Sequence, residues 1–306
     1  MGAPRLRHGK IVGVDGVIVV DKDSSWTSHD VVGKMRRIAG TKAIGHLGTL
    51  DPIATGVLPL VVGRATRLAR FYSHSDKIYE ATIRFGFSTD TYDRAGVSTS
   101  PETTPELNGP QLERALDPFR GEILQVPPAV SAKKVDGVRA YQLARRSVAV
   151  ELAPVRVQVH ELVLVELRGC EARIRVHCSG GTYIRSIAHD LGIVLGCGAH
   201  LRELRRLAAA EFTIEQALTV TQLQALAAEG RLGEILIPVA NMKPEFPGVF
   251  LDDSTVGQVR HGRDFAVSPF REQAGSRHVK ALSATGELVA VGEAVLPNFY
   301  HPIVVL

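Results

Sequence analysis

Gly45-His46-Leu47-Gly48-Thr49-Leu50-Asp51-Pro52-Ile53-Ala54-Thr55-Gly56-Val57-Leu58-Pro59-Leu60 is the stretch around which the chain is organised. Glycines stand either side of His46-Leu47, and glycine accepts positive φ and lets a backbone or a ligand approach closely. Pro52 biases Asp51 away from helix toward an extended conformation. From Val57 the run turns apolar through Val62 and stops at Gly63, the pattern of a buried strand. The stretch therefore sets one carboxylate on a stiffened loop near an imidazole, immediately before the chain enters the core. Loops held by a rigid scaffold are where catalytic groups tend to sit. An Asp-Pro dipeptide alone is a common turn whose carboxylate only bonds nearby amides, so the reading rests on the whole string.

Upstream, residues 16–22 read as a short buried strand ending in charge. Thr27 and Asp30 then form a capping box for a helix whose apolar stripe is Val31, Val32, Met35 and Ile38, ended by Gly40. Lys34, Arg36 and Arg37 are expected to face out. Downstream, residues 66–72 look helical, and residues 77–85 alternate, with Tyr79, Ala81, Ile83 and Phe85 on one face. A tyrosine leading such a face either packs or stacks on a nucleobase. Residues 88–96 are a polar loop in which Asp90 and Asp93 are too few to imply a metal, since hard cations want six or more oxygens. Residues 110–116 predict a short helix.

Residues 171–178 alternate again, with Ala172, Ile174, Val176 and Cys178 inward. Ser179-Gly180-Gly181-Thr182 then turns into a helix over 183–195, with Thr182 as its cap. Arg185 falls in the first helical turn, where the dipole disfavours a cation, which suggests a partner carboxylate. Residues 199–207 predict a further helix, with Leu201, Leu204 and Leu207 on one side and Arg202, Arg205 and Arg206 on the other. A charge-poor connector over 208–245 holds one short helix ending near Gly230. Beyond Pro244 the texture becomes short β-like pieces, including a hairpin turning at Thr285-Gly286.

The 306 residues, 45% hydrophobic and 22% charged, suit a soluble globular protein of one large and one smaller domain. Thirty-six Lys and Arg against 32 Asp and Glu give +4, mildly basic and compatible with a polyanionic partner. Cys170, Cys178 and Cys197 lack C-x-x-C pairing, which argues against a zinc site or a disulfide framework and suits a reducing cytosol. No apolar run approaches the ~18 residues that span a bilayer. A cytoplasmic protein is expected.

The opening string resembles the G-H-x-G-x-L-D-P-x-A-T-G motif of the TruB family, the tRNA pseudouridine-55 synthases, and matches it at every fixed position. Further segments match: K-x-Y at 77–79, an S/T-x-D-T-x-D run at 88–93, and F-x-G-x-x-x-Q-x-P-P-x-x-S-A-x-K at 119–134. So do G-x-x-x-Y-x-x-A-R at 137–145 and C-S-G-G-T-Y-I-R at 178–185. The resemblance covers residues 16 to about 210. It departs at Asp23, where the family has proline, at Lys133, and at Ala153-Pro154, which keep only the end of an R-E-A-R-P stretch.

The resemblance implies an α+β fold, a mixed, mostly antiparallel sheet with flanking helices over residues 1–245. A small PUA-like β-barrel would follow over 246–306. It implies Asp51 as the catalytic carboxylate and Arg185 as its ion-pair partner. Tyr79 would be the stacking ring, Leu204 a wall of the uracil pocket, and Asp93 a support. His46 and Tyr183 would place RNA. The implied substrate is the T stem-loop of tRNA, acted on by a monomer that needs no protein partner, membrane, cofactor or metal. Two other classes stay open. A non-catalytic RNA-binding protein would not need Asp51, Tyr79 and Arg185 together, and a glycoside hydrolase normally needs two catalytic carboxyls.

Overall fold

The computed structural model describes residues 15–131, 133–135, 138–139, 152–268 and 275–306. The basic N-terminal stretch and most of the expected G-x-x-x-Y-x-x-A-R segment lie outside the described residues.

Two continuous apolar runs become the central strands. β1 (Gly16–Lys22) and β3 (Thr55–Val62) pair antiparallel along their whole length, from Gly16 opposite Val62 to Lys22 opposite Gly56. Both are covered on both faces, which is why their sequences are apolar throughout rather than alternating. Between them lie helix α1 (Ser28–Ala39) and β2 (Ile44–His46), the latter antiparallel to β3. The capping box forms as expected: the Asp30 amide donates to Thr27 Oγ1 at 3.1 Å and the Thr27 amide to Asp30 Oδ2 at 2.9 Å. Those Thr27 donors hold the Asp30 carboxyl below its ordinary range. Gly40 closes the helix at φ 67°. Arg36 departs from expectation, since it donates to the Ile44 carbonyl at 2.9 Å and ties β2 to α1.

The sheet continues through β4 (Lys77–Phe85), β5 (Gly121–Gln125), β6 (Val155–Arg168), β7 (Glu171–Cys178) and β8 (Ala199–Ala209). Its order is β1-β3-β8-β4-β7-β6-β5, antiparallel except where β3 meets β8. Leu218–Thr219 add a parallel edge to β1, and Ile237–Pro238 an antiparallel one. The expected 208–245 connector therefore returns to the main sheet. Helices α2 (Gly109–Leu116), α3 (Ile184–Val194) and α4 (Val220–Ala228) share one apolar core with α1 and the inward face of β4 and β7.

Two local expectations are corrected. Residues 199–207 form strand β8, not a helix. Its pairing with β4 shifts register between Leu201 and Glu203 and again between Arg206 and Ala208. Each bulge inserts a residue, so buried Leu201 and Leu204 lie three apart and mimic helical spacing. Nor does Thr182 cap α3. Its hydroxyl donates to the Ser179 carbonyl at 3.0 Å, and the N-cap is Tyr183 without a side-chain cap.

The C-terminal part is a curled five-stranded sheet with its own core around Val249, Val256, Val279 and Tyr300. It comprises β9 (Gly248–Phe250), β10 (His278–Leu282), β11 (Leu288–Leu296), β12 (Phe299–Val305) and the short Phe265–Ala266, with helix α5 (Asp253–Arg260). Leu288, Val291 and Val304 join one buried apolar cluster with Val17, Val19, Val57, Val61, Leu68 and Phe212, so the C-terminal sheet shares a core with the second face of β1 and β3. Among the described residues, no helix is long and apolar enough to cross a membrane.

Candidate active site

The loop carrying Asp51 is fastened at each step. Ser28, the first residue of α1, donates its hydroxyl to the Leu50 carbonyl at 3.2 Å and accepts the Leu50 amide at 2.8 Å. The Ala54 amide returns to the Asp51 carbonyl at 3.0 Å, and the Ser25 amide reaches the Pro52 carbonyl at 2.7 Å. Beneath the loop Lys22 is fully buried and donates to the carbonyls of Trp26 at 2.7 Å and Asp23 at 2.9 Å. Burial pushes the Lys22 ammonium down to about 8, partly opposed by the nearby Asp51 carboxylate.

Arg206 holds the other side. Buried to 1% exposure, it donates from Nε to the Val57 carbonyl at 2.7 Å and from Nη2 to the Gly48 carbonyl at 3.1 Å. Gly56 sits at φ +96°, and a Cβ there would meet the Arg206 carbonyl oxygen at 2.2 Å. The motif glycine is thus required where β3 and β8 approach.

Arg185 meets Asp51 as an ion pair with one aligned hydrogen bond, from Nη2, while the buried Nε is close to the carboxylate without aligning on it. Its Nε lies 2.8 Å from Oδ2, and its Nη2 donates to Oδ1 at 3.1 Å. The same guanidinium donates to the carbonyls of Val130 at 3.0 Å and Thr91 at 3.1 Å. Its Nη1 stands 3.8 Å from Asp93 Oδ2. Asp93 is itself fixed, accepting the Ala95 amide at 2.9 Å and the Thr91 hydroxyl at 2.7 Å. Arg185 is almost wholly buried, whereas the Asp51 side chain keeps 32% of its surface exposed. A charge-assisted hydrogen bond from a fixed guanidinium orients a carboxylate as well as neutralising it, and here the carboxylate keeps a free side.

That side opens into a cleft of about 260 Å³, lined by Asp51, Tyr79, Tyr183, Arg185, Leu204 and Arg206, among others. Tyr79 and Leu204 reach it because Tyr79 pairs with Arg206 and Ala81 with Leu204 across β4 and β8. Burial pushes the Tyr79 phenol up, against the pull of the hydrogen-bonded Arg206. Lys77, also in the lining, is pushed down to about 8 by burial. Tyr183 is set by Gln125, which accepts its amide at 2.7 Å and donates to its carbonyl at 3.0 Å. A larger cleft of about 420 Å³ is lined by residues such as Glu80, Thr82, Glu203 and Arg205. It contains neither Asp51 nor Arg185, and chemistry rather than size selects the smaller one.

Of the residues expected at the site, Asp51, Tyr79, Tyr183, Arg185 and Leu204 converge on this cleft. Asp93 stands behind Arg185, and His46 lies on β2 outside the lining. His46 Nδ1 accepts the Gly48 amide at 3.3 Å, which leaves the ring proton on Nε2. The sequence reading missed Arg206, placed on an outward helix face, and the clamps Ser28 and Gln125. The serine's position at the start of α1 was a usable signal, but the arginine's burial became visible only with the bulged strand. Among the described residues no second carboxylate lines the cleft, unlike a glycosidase with its flanking pair.

A family model described as "TruB family pseudouridylate synthase (N terminal domain)" matches residues 36–184. A second, "tRNA pseudouridylate synthase B C-terminal domain", matches residues 185–242. The chain is 64% identical to "tRNA pseudouridine synthase B" of Solibacter usitatus, over 96% of this chain and 100% of that protein. It is 40% identical to the protein of the same name from Aromatoleum aromaticum, over 94% and 91%. Among solved structures, an H/ACA RNP bound to a substrate RNA containing 2'-deoxyuridine superposes with a TM-score of 0.71. That likeness is at 25% identity and covers 95% of this chain and 84% of that one.

Proposed function

Since the chain belongs to the TruB family and is a tRNA pseudouridine synthase, we propose that it isomerises uridine 55 in the T loop of tRNA, with Asp51 as the catalytic carboxylate. The reaction breaks the N1–C1′ bond, turns the base, and joins C5 to C1′. The C5 proton leaves, N1 gains one, and nothing is oxidised or imported. One oriented carboxylate facing the substrate meets the need for a group that acts at the sugar or base during cleavage. The observation that carries the reading is the hydrogen-bonded Asp51–Arg185 ion pair at the cleft.

The target uridine is stacked in its loop and must be flipped out, at a cost of a few kcal/mol. Stacking on Tyr79 offsets about 1–3 kcal/mol of that, and Leu204 walls the base from the other strand. The 1–245 catalytic and 246–306 PUA-like division is retained on the separate core of the C-terminal sheet. Leu288 and Val304 belong to the same buried cluster as Val17 and Val57, which supports two parts packed together. The enzyme is read as a cytoplasmic monomer acting alone.

The test is tritium release from 5-tritiated uridine in three substrates: a T stem-loop, a hairpin of equal length with a different loop, and free uridine. Release from the T stem-loop alone is expected. Equal release from the unrelated hairpin would overturn the T-loop assignment.

A further inference from the structure

We propose that Asp76, His160 and His177 form a binding site for a divalent first-row transition cation of the zinc type, apart from the catalytic cleft. A single carboxylate oxygen, Asp76 Oδ2, lies 3.3 Å from His160 Nε2 and 3.5 Å from His177 Nε2. All three candidate ligand atoms fall within 4.8 Å of one another. A tetrahedral zinc centre with bonds of about 2.0–2.2 Å places neighbouring ligand atoms about 3.3–3.6 Å apart. Two of the three edges already have that length, so a cation can enter with only small side-chain rotations.

The three residues come from rigid backbone. His177 lies on β7, between Ile78 of β4 and Glu161 of β6. The β6–β7 pairing shifts register between Val159 and Glu161, so His160 is the bulged residue and its ring comes to 4.7 Å from that of His177. Without the bulge, consecutive residues would point to opposite faces. The Asp76 carbonyl accepts the Ala210 amide at 2.9 Å, which fixes the turn into β4. Two imidazoles and one carboxylate suit borderline metals such as zinc and cobalt better than calcium or magnesium, which want oxygen ligands. The side chains are 35–47% exposed, and Asp76 and His177 line an open cleft of about 640 Å³ that includes His74, Ser75 and Glu211. The remaining coordination position therefore faces water.

Nothing in pseudouridine formation uses this cation. Its effect is to fasten the β6–β7 bulge to the turn that precedes Lys77, so it stabilises the folded chain through binding to that state alone. The experiment titrates the intact, untagged protein with Co²⁺ and Zn²⁺ after chelator treatment, alongside His160→Ala, His177→Ala and Asp76→Asn. Visible Co²⁺ absorption of tetrahedral type at one equivalent, displaced by Zn²⁺, is expected for wild type, with a higher thermal midpoint in Zn²⁺. Each variant should lose about tenfold or more in affinity and lose the Zn²⁺-dependent midpoint shift. The metal-free midpoints of the variants check that they fold. Equal Co²⁺ uptake by wild type and the His160→Ala, His177→Ala double variant, or uptake with octahedral absorption only, would overturn the proposal.

Discussion

Replacing Arg185 with lysine keeps a cation beside Asp51 but removes the planar guanidinium that bonds the carboxylate and two backbone carbonyls at once. In the wild type one guanidinium lies 2.8 Å from Oδ2 and donates to Oδ1 at 3.1 Å and to the carbonyls of Val130 and Thr91 at 3.0 and 3.1 Å. Lysine has all its donors on one nitrogen and cannot reach a carboxylate oxygen and two separated carbonyls together. If two of these contacts are lost at about 1–2 kcal/mol each, the folded state loses about 2–4 kcal/mol. The freed carboxylate is then displaced by an ångström or so, which costs about 10²-fold in the chemical step. Single-turnover tritium release from T stem-loop RNA would measure that step. Filter binding would give Kd, and urea unfolding the stability. The expected pattern is a large fall in rate with Kd changed by less than about threefold, since Arg185 is almost wholly buried and its hydrogen bonds go to Asp51 and two backbone carbonyls. Arg185→Gln, which also removes the charge, should be slower still. A lysine variant with wild-type single-turnover rate would refute the positioning argument.

Arg206→Met leaves the carbonyls of Val57, Gly48 and Thr49 without their buried donor; a loss of about 3–5 kcal/mol in urea unfolding is expected, and a change under about 1 kcal/mol would contradict it. Gly56→Ala forces a Cβ to 2.2 Å from the Arg206 carbonyl at φ +96°, so a destabilisation of about 3 kcal/mol or more should appear as a lowered urea midpoint. Lys22 and Lys77 are both depressed to about 8 from 10.5. Between those values the unfolded chain carries the extra protons, so the burial penalty of each lysine is full below about 8 and is relieved as pH rises toward 10.5. The unfolding free energy of wild type relative to Lys22→Met should therefore increase across that window, and a flat difference would contradict the burial of the charge.

Local chemistry was readable in the sequence wherever a single element decides it. Thr27, Asp30 and Gly40 announce α1 because a capping box and a left-handed C-cap are properties of a few adjacent residues. The alternation of residues 77–85 announces β4 because one face meets the core. Strand β8 was misread because its two bulges break the two-residue period, and the resulting Leu201–Leu204 spacing is that of a helix. The same misreading hid Arg206, whose burial follows from facing Tyr79 across the sheet. The Asp51–Arg185 pair joins residues 134 positions apart. No periodicity reaches that far, and it was anticipated from the resemblance of two motifs together with an arginine in an unfavourable first helical turn.

The most direct measurement compares wild type with Asp51→Asn in tritium release from 5-tritiated T stem-loop RNA, with RNA affinity measured on the same preparations. Asparagine keeps the side chain's size and one oxygen for Arg185, so the loop should stay folded and RNA should still bind. The account predicts release by the wild type, none by Asp51→Asn above background, and closely similar Kd values. Substantial release by Asp51→Asn would contradict the assignment of Asp51 as the catalytic carboxylate.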